Sequence, residues 1–239
     1  FIIRGDGSTT YLDADISTNG VLEISDSVIV KDTRTLTSTS NVIVGSTSGH
    51  SVNGSAGGEA DNLIINAGGD VYFGGDIGDL LEGGPLNSIT IQNAQNITFA
   101  GAVTITGDLV IKAGQTINFA KGLSIGGNLV IEQGASVTFS GAVNVGGNLT
   151  IGSTQVGSLT FASNVKVTGS ITLGQSGNYS ALGDVTVKGL LDYDGSGAIY
   201  SGGVINFNNI VGSDATLRPK LVIDYTASSG INGALAATL

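Results

Sequence analysis

Apolar and polar residues alternate along this chain in short runs, as in Leu123-Ser-Ile125, Leu129-Val-Ile131 and Val137-Thr-Phe139. Alternation with a period of two marks strands that bury one face. The three runs recur as a set. Gly101 to Ala120 and Lys121 to Ser140 are two copies of a 20-residue unit, and Gly141 to Ala162 is a third copy with two extra residues. One unit cannot bury its inward side chains alone, whereas stacked units cover each other's, so three short strands per unit predict one coil of a parallel β-helix. The expected fold is all-β: a right-handed single-stranded parallel β-helix, or β-solenoid. Its handedness is taken from the general rule for parallel crossovers.

Stacking requires columns of like residues, and these are present. Phe99, Phe119, Phe139 and Phe161 occupy equivalent places in successive units, and the insertion before Phe161 is absorbed between Gly152 and Gly157. Gly107, Gly127, Gly147, Gly169 and Gly189 form a second column at a bend between strands, where a Cβ would be disfavoured. The residues that follow them, Asp108, Asn128, Asn148 and Ser170, form a polar ladder that lapses at Leu190. Farther on, Ala181 and Ser201 are expected in the aromatic place.

The pattern divides one continuous solenoid into three regions. Residues 1–60 read as irregular early coils, with inward pairs such as Leu22/Ile24 and Val42/Val44 and a Gly/Ser-rich loop from Ser46 to Ala60. Residues 61–203 are the regular coils, interrupted by a second excursion from Gly74 to Pro85. Residues 204–239 form an irregular last coil and tail, with a strand expected over Leu217 to Tyr225. About 11 coils at ~4.8 Å each would make a rod on the order of 50 Å.

Composition narrows the function. A net charge of −10 and a sequence pI near 4.2 oppose binding to nucleic acid or anionic lipid. Mean hydropathy is +0.30, yet no apolar run approaches the roughly 18 residues of a membrane helix, so no membrane insertion is expected. The absence of cysteine excludes disulfides and thiolate metal sites, and the single His50 leaves no histidine cluster for zinc. The chain opens Phe1-Ile-Ile-Arg, which reads as part of a longer protein.

Candidate chemistry is sparse. Asp192, Asp194 and Ser196 match the first half of a calcium loop, with carboxylates at positions 1 and 3, a hydroxyl at 5 and Gly197 at 6. Gly203 stands where the bidentate acid belongs. Asp76, Asp79 and Glu82 gather with Asp70 around the second excursion, without the glycine-rich nonapeptide of calcium-loaded β-rolls. No cofactor is expected, and calcium is the one candidate. Arg4-Gly5-Asp6 spells the tripeptide that integrins bind, in a polar loop.

The outward rows Thr104, Ser124, Asn144, Lys166, Thr186 and Val110, Val130, Thr150, Thr172, Asp192 hold no carboxylate pair for glycoside or polysaccharide cleavage, so no enzyme is expected. A third row, Thr98, Asn118, Thr138 and Thr160, is polar but stands beside Ala100, Ala120, Ser140 and Ala162. It lacks the paired threonines of an ice-ordering surface.

Asp70-Val-Tyr-Phe-Gly-Gly-Asp-Ile-Gly78, Pro85-Leu-Asn-Ser-Ile-Thr-Ile91 and Asn96 to Ile111 resemble repeats of giant bacterial surface proteins of the filamentous-haemagglutinin and large-adhesin type. The resemblance spans roughly Asn62 to Asp194 and transfers no functional residue. It implies an extracellular, cell-surface setting and a non-catalytic role as a rod or spacer displaying loops. The implied partner is a host or matrix surface, glycan or protein. Two alternatives are a subunit that self-associates end to end into a fibre or surface layer, and a β-helix carbohydrate-active enzyme.

Overall fold

In a computed structural model, residues 1–5, 7–46, 49–56, 60–79, 83–211, 221–225 and 231–232 are described. They form a β-solenoid of about nine turns, nearly all parallel β. The only helical element among them is the 3-10 turn Tyr179–Ala181.

Every named pairing between strands is parallel, and the pairings run in three ladders. The first joins Ile2–Ile3, Leu22–Ile24, Val42–Val44, Val71–Phe73, Asn96–Phe99 and Thr116–Phe119, then passes through the second halves of Leu129–Phe139 and Leu149–Phe161. The second runs from Thr9–Leu12 through Ser27–Val30, Ser51–Gly54 and Asp76–Ile77 to Val103–Ile105 and its successors. The third begins at Ile16–Thr18 and continues through Thr33–Ser38, Asn62–Ala67, Ser88–Asn93 and Leu109–Ile111. Pairing continues unbroken from the early strands to Ile205–Val211.

The alternating pattern explains the interior. In Val103–Ile105, Leu123–Ile125 and Val143–Val145 the outer two side chains are buried and the middle one is exposed. The core is one column-filled tube from Leu12 to Phe207. Because register is maintained from turn to turn, the phenylalanine rings stack face to face. Phe99–Phe119, Phe119–Phe139 and Phe139–Phe161 have centroids 4.6, 4.7 and 4.8 Å apart, with ring planes within 9° of parallel. These separations are those of neighbouring strands, so the backbone spacing dictates the stacking. Phe73 extends the column by one ring, 5.0 Å from Phe99.

Turn length varies, and all the variation lies at corners. Equivalent residues are 20 apart in the regular coils, as for Asp108 and Asn128. They are 29 apart from Asn41 to Asp70, 26 from Asp70 to Asn96 and 26 from Asn164 to Leu190. This is why the stack has about nine turns rather than about 11.

The long corners correct several expectations. Ser46 to Ala60 is not one loop: Ser51–Gly54 is a buried strand paired with Val28–Val30. It escaped the pattern because Gly54 takes the inward place that Val30 fills one turn earlier, while Asn53, in register with Ile29 on the opposite face, is buried there with its amide donating to Ser51 Oγ at 3.0 Å. The second excursion likewise starts later, since Asp76–Ile77 remains in the ladder. In the later coils the aromatic place passes from Phe161 to Val187 and then to Phe207, not to Ala181 and Ser201. The extra residues between Leu173 and Val185 shift everything beyond them. The strand expected over Leu217 to Tyr225 is Leu221–Tyr225, and Leu217 to Lys220 lie outside the described residues.

Candidate functional site

The chemistry-bearing side chains collect at the corners, where a strand starts and its first backbone N–H needs an acceptor. At one corner Asp108 Oδ1 accepts from the Asn128 N–H at 2.6 Å, Asn128 Oδ1 from Asn148 at 2.9 Å and Asn148 Oδ1 from Ser170 at 2.8 Å. Ser170 Oγ then accepts from the Ser196 N–H at 3.2 Å. The ladder therefore does not lapse at Leu190. The glycine column moves with it: the Gly195 N–H donates to the Gly169 carbonyl, as Gly169 does to Gly147.

Gly189 belongs to a different corner, against Ser163 and Asn164, and is not the next member of the Gly107, Gly127, Gly147, Gly169 column. There Asn164 Oδ1 accepts from Leu190 at 3.0 Å. The remaining corner uses the same device, from Asn41 to Asp70 at 2.9 Å and from Asp184 to Val204 at 2.8 Å. Short polar side chains suit this place because they bind nearby backbone groups.

Contacts of this kind engage two of the candidate calcium ligands, Asp76 and Ser196. Asp76 Oδ1 accepts from the Ala102 N–H at 2.7 Å and stands 3.4 Å from Lys121 Nζ. Asp79 is half-buried, and Glu82 lies outside the described residues. Asp192 is in strand Leu182–Tyr193, in register with Lys166. Asp194 sits at the following bend, and Ser196 is engaged with Ser170. The segment is thus a tight corner between two strands rather than a projecting loop. Among the described residues no three His, Cys, Asp or Glu side chains gather as a metal-holding group.

The outward rows also change their last members. Lys166 is followed by Asp192, Thr160 by Thr186 and Thr172 by Ala198. The polar row Thr98, Asn118, Thr138 and Thr160 runs beside Asn96, Thr116, Ser136 and Ser158 on the same strands. Thr116 is the only threonine in that second row. Near the first turn, Arg4 reaches Glu23 at 3.9 Å, and Asp6 lies outside the described residues. A Cβ on Gly5 would overlap both carboxylate oxygens of Asp26 and Ser8 Oγ, so a side chain there would displace them. Asp26 itself is 2% exposed, and its Oδ1 has no hydrogen-bond partner.

A polar node that the sequence did not reveal lies at the long corner of the early turns. Asp61 is 1% exposed. Its Oδ1 accepts from the Asp32 N–H at 2.6 Å, and its Oδ2 from the Ser55 N–H at 2.6 Å and Ser55 Oγ at 2.8 Å. Asp32 adopts φ +60°, the one non-glycine residue with positive φ among those described. Asn62 Oδ1 accepts from Asn87 Nδ2 at 2.8 Å and Ser88 Oγ at 2.6 Å. An antiparallel bridge from Gly54 to Gly84 fastens the two excursions to each other.

Comparison with protein-family models, curated proteins and solved structures gives no match. The functional reading therefore rests on geometry.

Proposed function

We propose that this chain is a non-catalytic section of a large extracellular bacterial surface protein, acting as a rod or spacer that displays loops to a host or matrix surface. Its coils wind right-handed with three strands each. One observation carries the reading: turns of 18 to 29 residues continue the same parallel ladders while the added residues collect at the corners. Such a body keeps its length and direction while its loops vary, which suits display.

Deletion of Lys121 to Ser140 tests this, because Ala120 would then meet Gly141 much as Ser140 does now. The shortened chain should fold and lose one rise of ~4.8 Å, whereas removing ten residues would put a strand out of column. Adhesion of the parent protein unchanged by the deletion supports a spacer. Loss of adhesion would place a binding site on those coils and sink the reading.

A further inference from the structure

The chain contains four Asn-x-Ser/Thr triplets: Asn53-Gly-Ser55, Asn96-Ile-Thr98, Asn148-Leu-Thr150 and Asn178-Tyr-Ser180. Such a triplet is an acceptor for N-linked sugar only where the amide can be reached. The fold treats the four very differently. Asn53 is fully buried within a strand. Asn96 Nδ2 donates to the Asp70 carboxylate at 2.8 Å, and its backbone N–H to the same oxygen at 3.1 Å. Asn148 is a rung of the corner ladder, holding the Ser170 N–H through Oδ1. At Asn148 and Asn96 the hydroxyl two residues on lies along an extended strand, about 6–7 Å away by the strand rise.

Asn148 is exposed as well, so what sets Asn178 apart from it is the path of the chain. It sits at the corner lengthened between Leu173 and Val185, and residues 175–178 are exposed. Gly174 and Gly177, at φ +80° and +74°, turn the chain out and back. The turn is closed by the Asn178 N–H donating to Gln175 O and the Ala181 N–H donating to Asn178 O, both at 3.0 Å. That compact path brings Ser180 Oγ to 2.7 Å from Asn178 Oδ1, as donor. The hydroxyl fixes the plane of the amide, and Nδ2 is held only by an exposed 3.2 Å bond to Gln175 Oε1.

We propose that Asn178 is a glycosyl-acceptor site, modified by a transferase that reads Asn-x-Ser/Thr and uses a diphosphate-activated sugar. In the step, Asn178 Nδ2 bonds to the sugar's anomeric carbon as the carbon–oxygen bond to the diphosphate breaks. The diphosphate leaves with that electron pair, and Nδ2 gives up one proton to the transferase's base. A sugar here would extend from a corner without interrupting a ladder or a core column. The proposal stands apart from the rod reading, since it depends only on the local geometry.

The test is transfer to the folded, purified chain by a soluble N-glycosyltransferase of this specificity with a uridine-diphosphate hexose. Intact mass and peptide mapping would follow the product. The expected result is a gain of one hexose, mapped to Asn178, with Asn53, Asn96 and Asn148 unmodified until the chain is denatured. N178Q and S180A should each abolish the gain while leaving the melting temperature of the fold unchanged. Transfer to Asn96 or Asn148 of the folded chain ahead of Asn178 overturns the proposal. So does a folded chain that stays unmodified, whether or not its denatured form is an acceptor at Asn178.

Discussion

The coils from Gly101 to Ala162 and those from Val42 to Asn93 bury comparable interiors by different means. In the former, turns 20 or 22 residues apart keep every corner short, and one corner is served by a single side-chain acceptor per turn. In the latter, turns of 29 and 26 residues swell the corners, and the added backbone must find its own partners. It finds them in Asp61, which accepts from the Asp32 and Ser55 N–H groups, and in Asn62, whose amide donates to the Ala60 carbonyl. An apolar column satisfies a short turn, whereas a long one also needs a buried polar node, because an unpaired buried backbone group costs about as much as a lost hydrogen bond. Local stability should therefore respond to apolar truncation in one region and to loss of an acceptor in the other.

The largest expected effect is in the regular coils. Phe139→Ala removes a ring packed between Phe119 and Phe161 and should cost about 3–5 kcal/mol in chemical denaturation. Solenoid contacts join neighbours, so loss of hydrogen-exchange protection should centre on Thr116–Phe119 and Leu149–Phe161. Protection lost instead at Asn62–Ala67 would mean that the two regions form one cooperative unit, and the contrast would fail.

That column was legible in the sequence because Phe99, Phe119, Phe139 and Phe161 recur at almost constant spacing, and a fixed spacing is what identical turns produce. Phe73 belongs to it but stands one 26-residue turn away, where a search at 20 passes over it. Gly189 was misplaced for the same reason: Gln175 to Ser180 can pass for part of a coil, and only the hydrogen bond from Gly195 to Gly169 shows the shift. The candidate calcium residues were judged by spacing along the chain, which cannot show that Ser196 is already joined to Ser170 and Asp76 to Ala102. The Asp61 node left no trace in the pattern, since a buried aspartate in a Gly- and Asp-rich stretch looks like a solvated one.

Asp61 sharpens the comparison from the other side. Both of its carboxylate oxygens accept from donors, so Asp61→Asn must turn an NH2 group toward a buried N–H. The expected cost is about 2–3 kcal/mol, from one unsatisfied donor and the loss of charge-assisted bonds. Exposure should rise around Asp32, Ser55 and Asn87 and not at Phe139, read by hydrogen exchange. A variant as stable as the parent would show that water serves this corner as well as the carboxylate does.

The smallest effect concerns the turn after the last long corner described, where Tyr193 takes the inward place held by Val167 and Val145 before it. Tyr193 is 4% exposed, and burial pushes its phenol above the ordinary 10.0. Because the neutral form is favoured in the folded state, the unfolded chain ionises first as pH rises. Stability from this group is whole below about pH 10 and is lost as pH climbs from there toward the folded value. Tyr193→Phe keeps the ring and removes the titration. At neutral pH the variant should lie within about 1 kcal/mol of the parent, and its melting temperature should fall less steeply above pH 10. The other tyrosines titrate in both proteins, so the difference between the two curves isolates Tyr193. Parallel curves through the alkaline range would mean that water reaches the phenol, and that the later turns are packed less tightly than the regular coils.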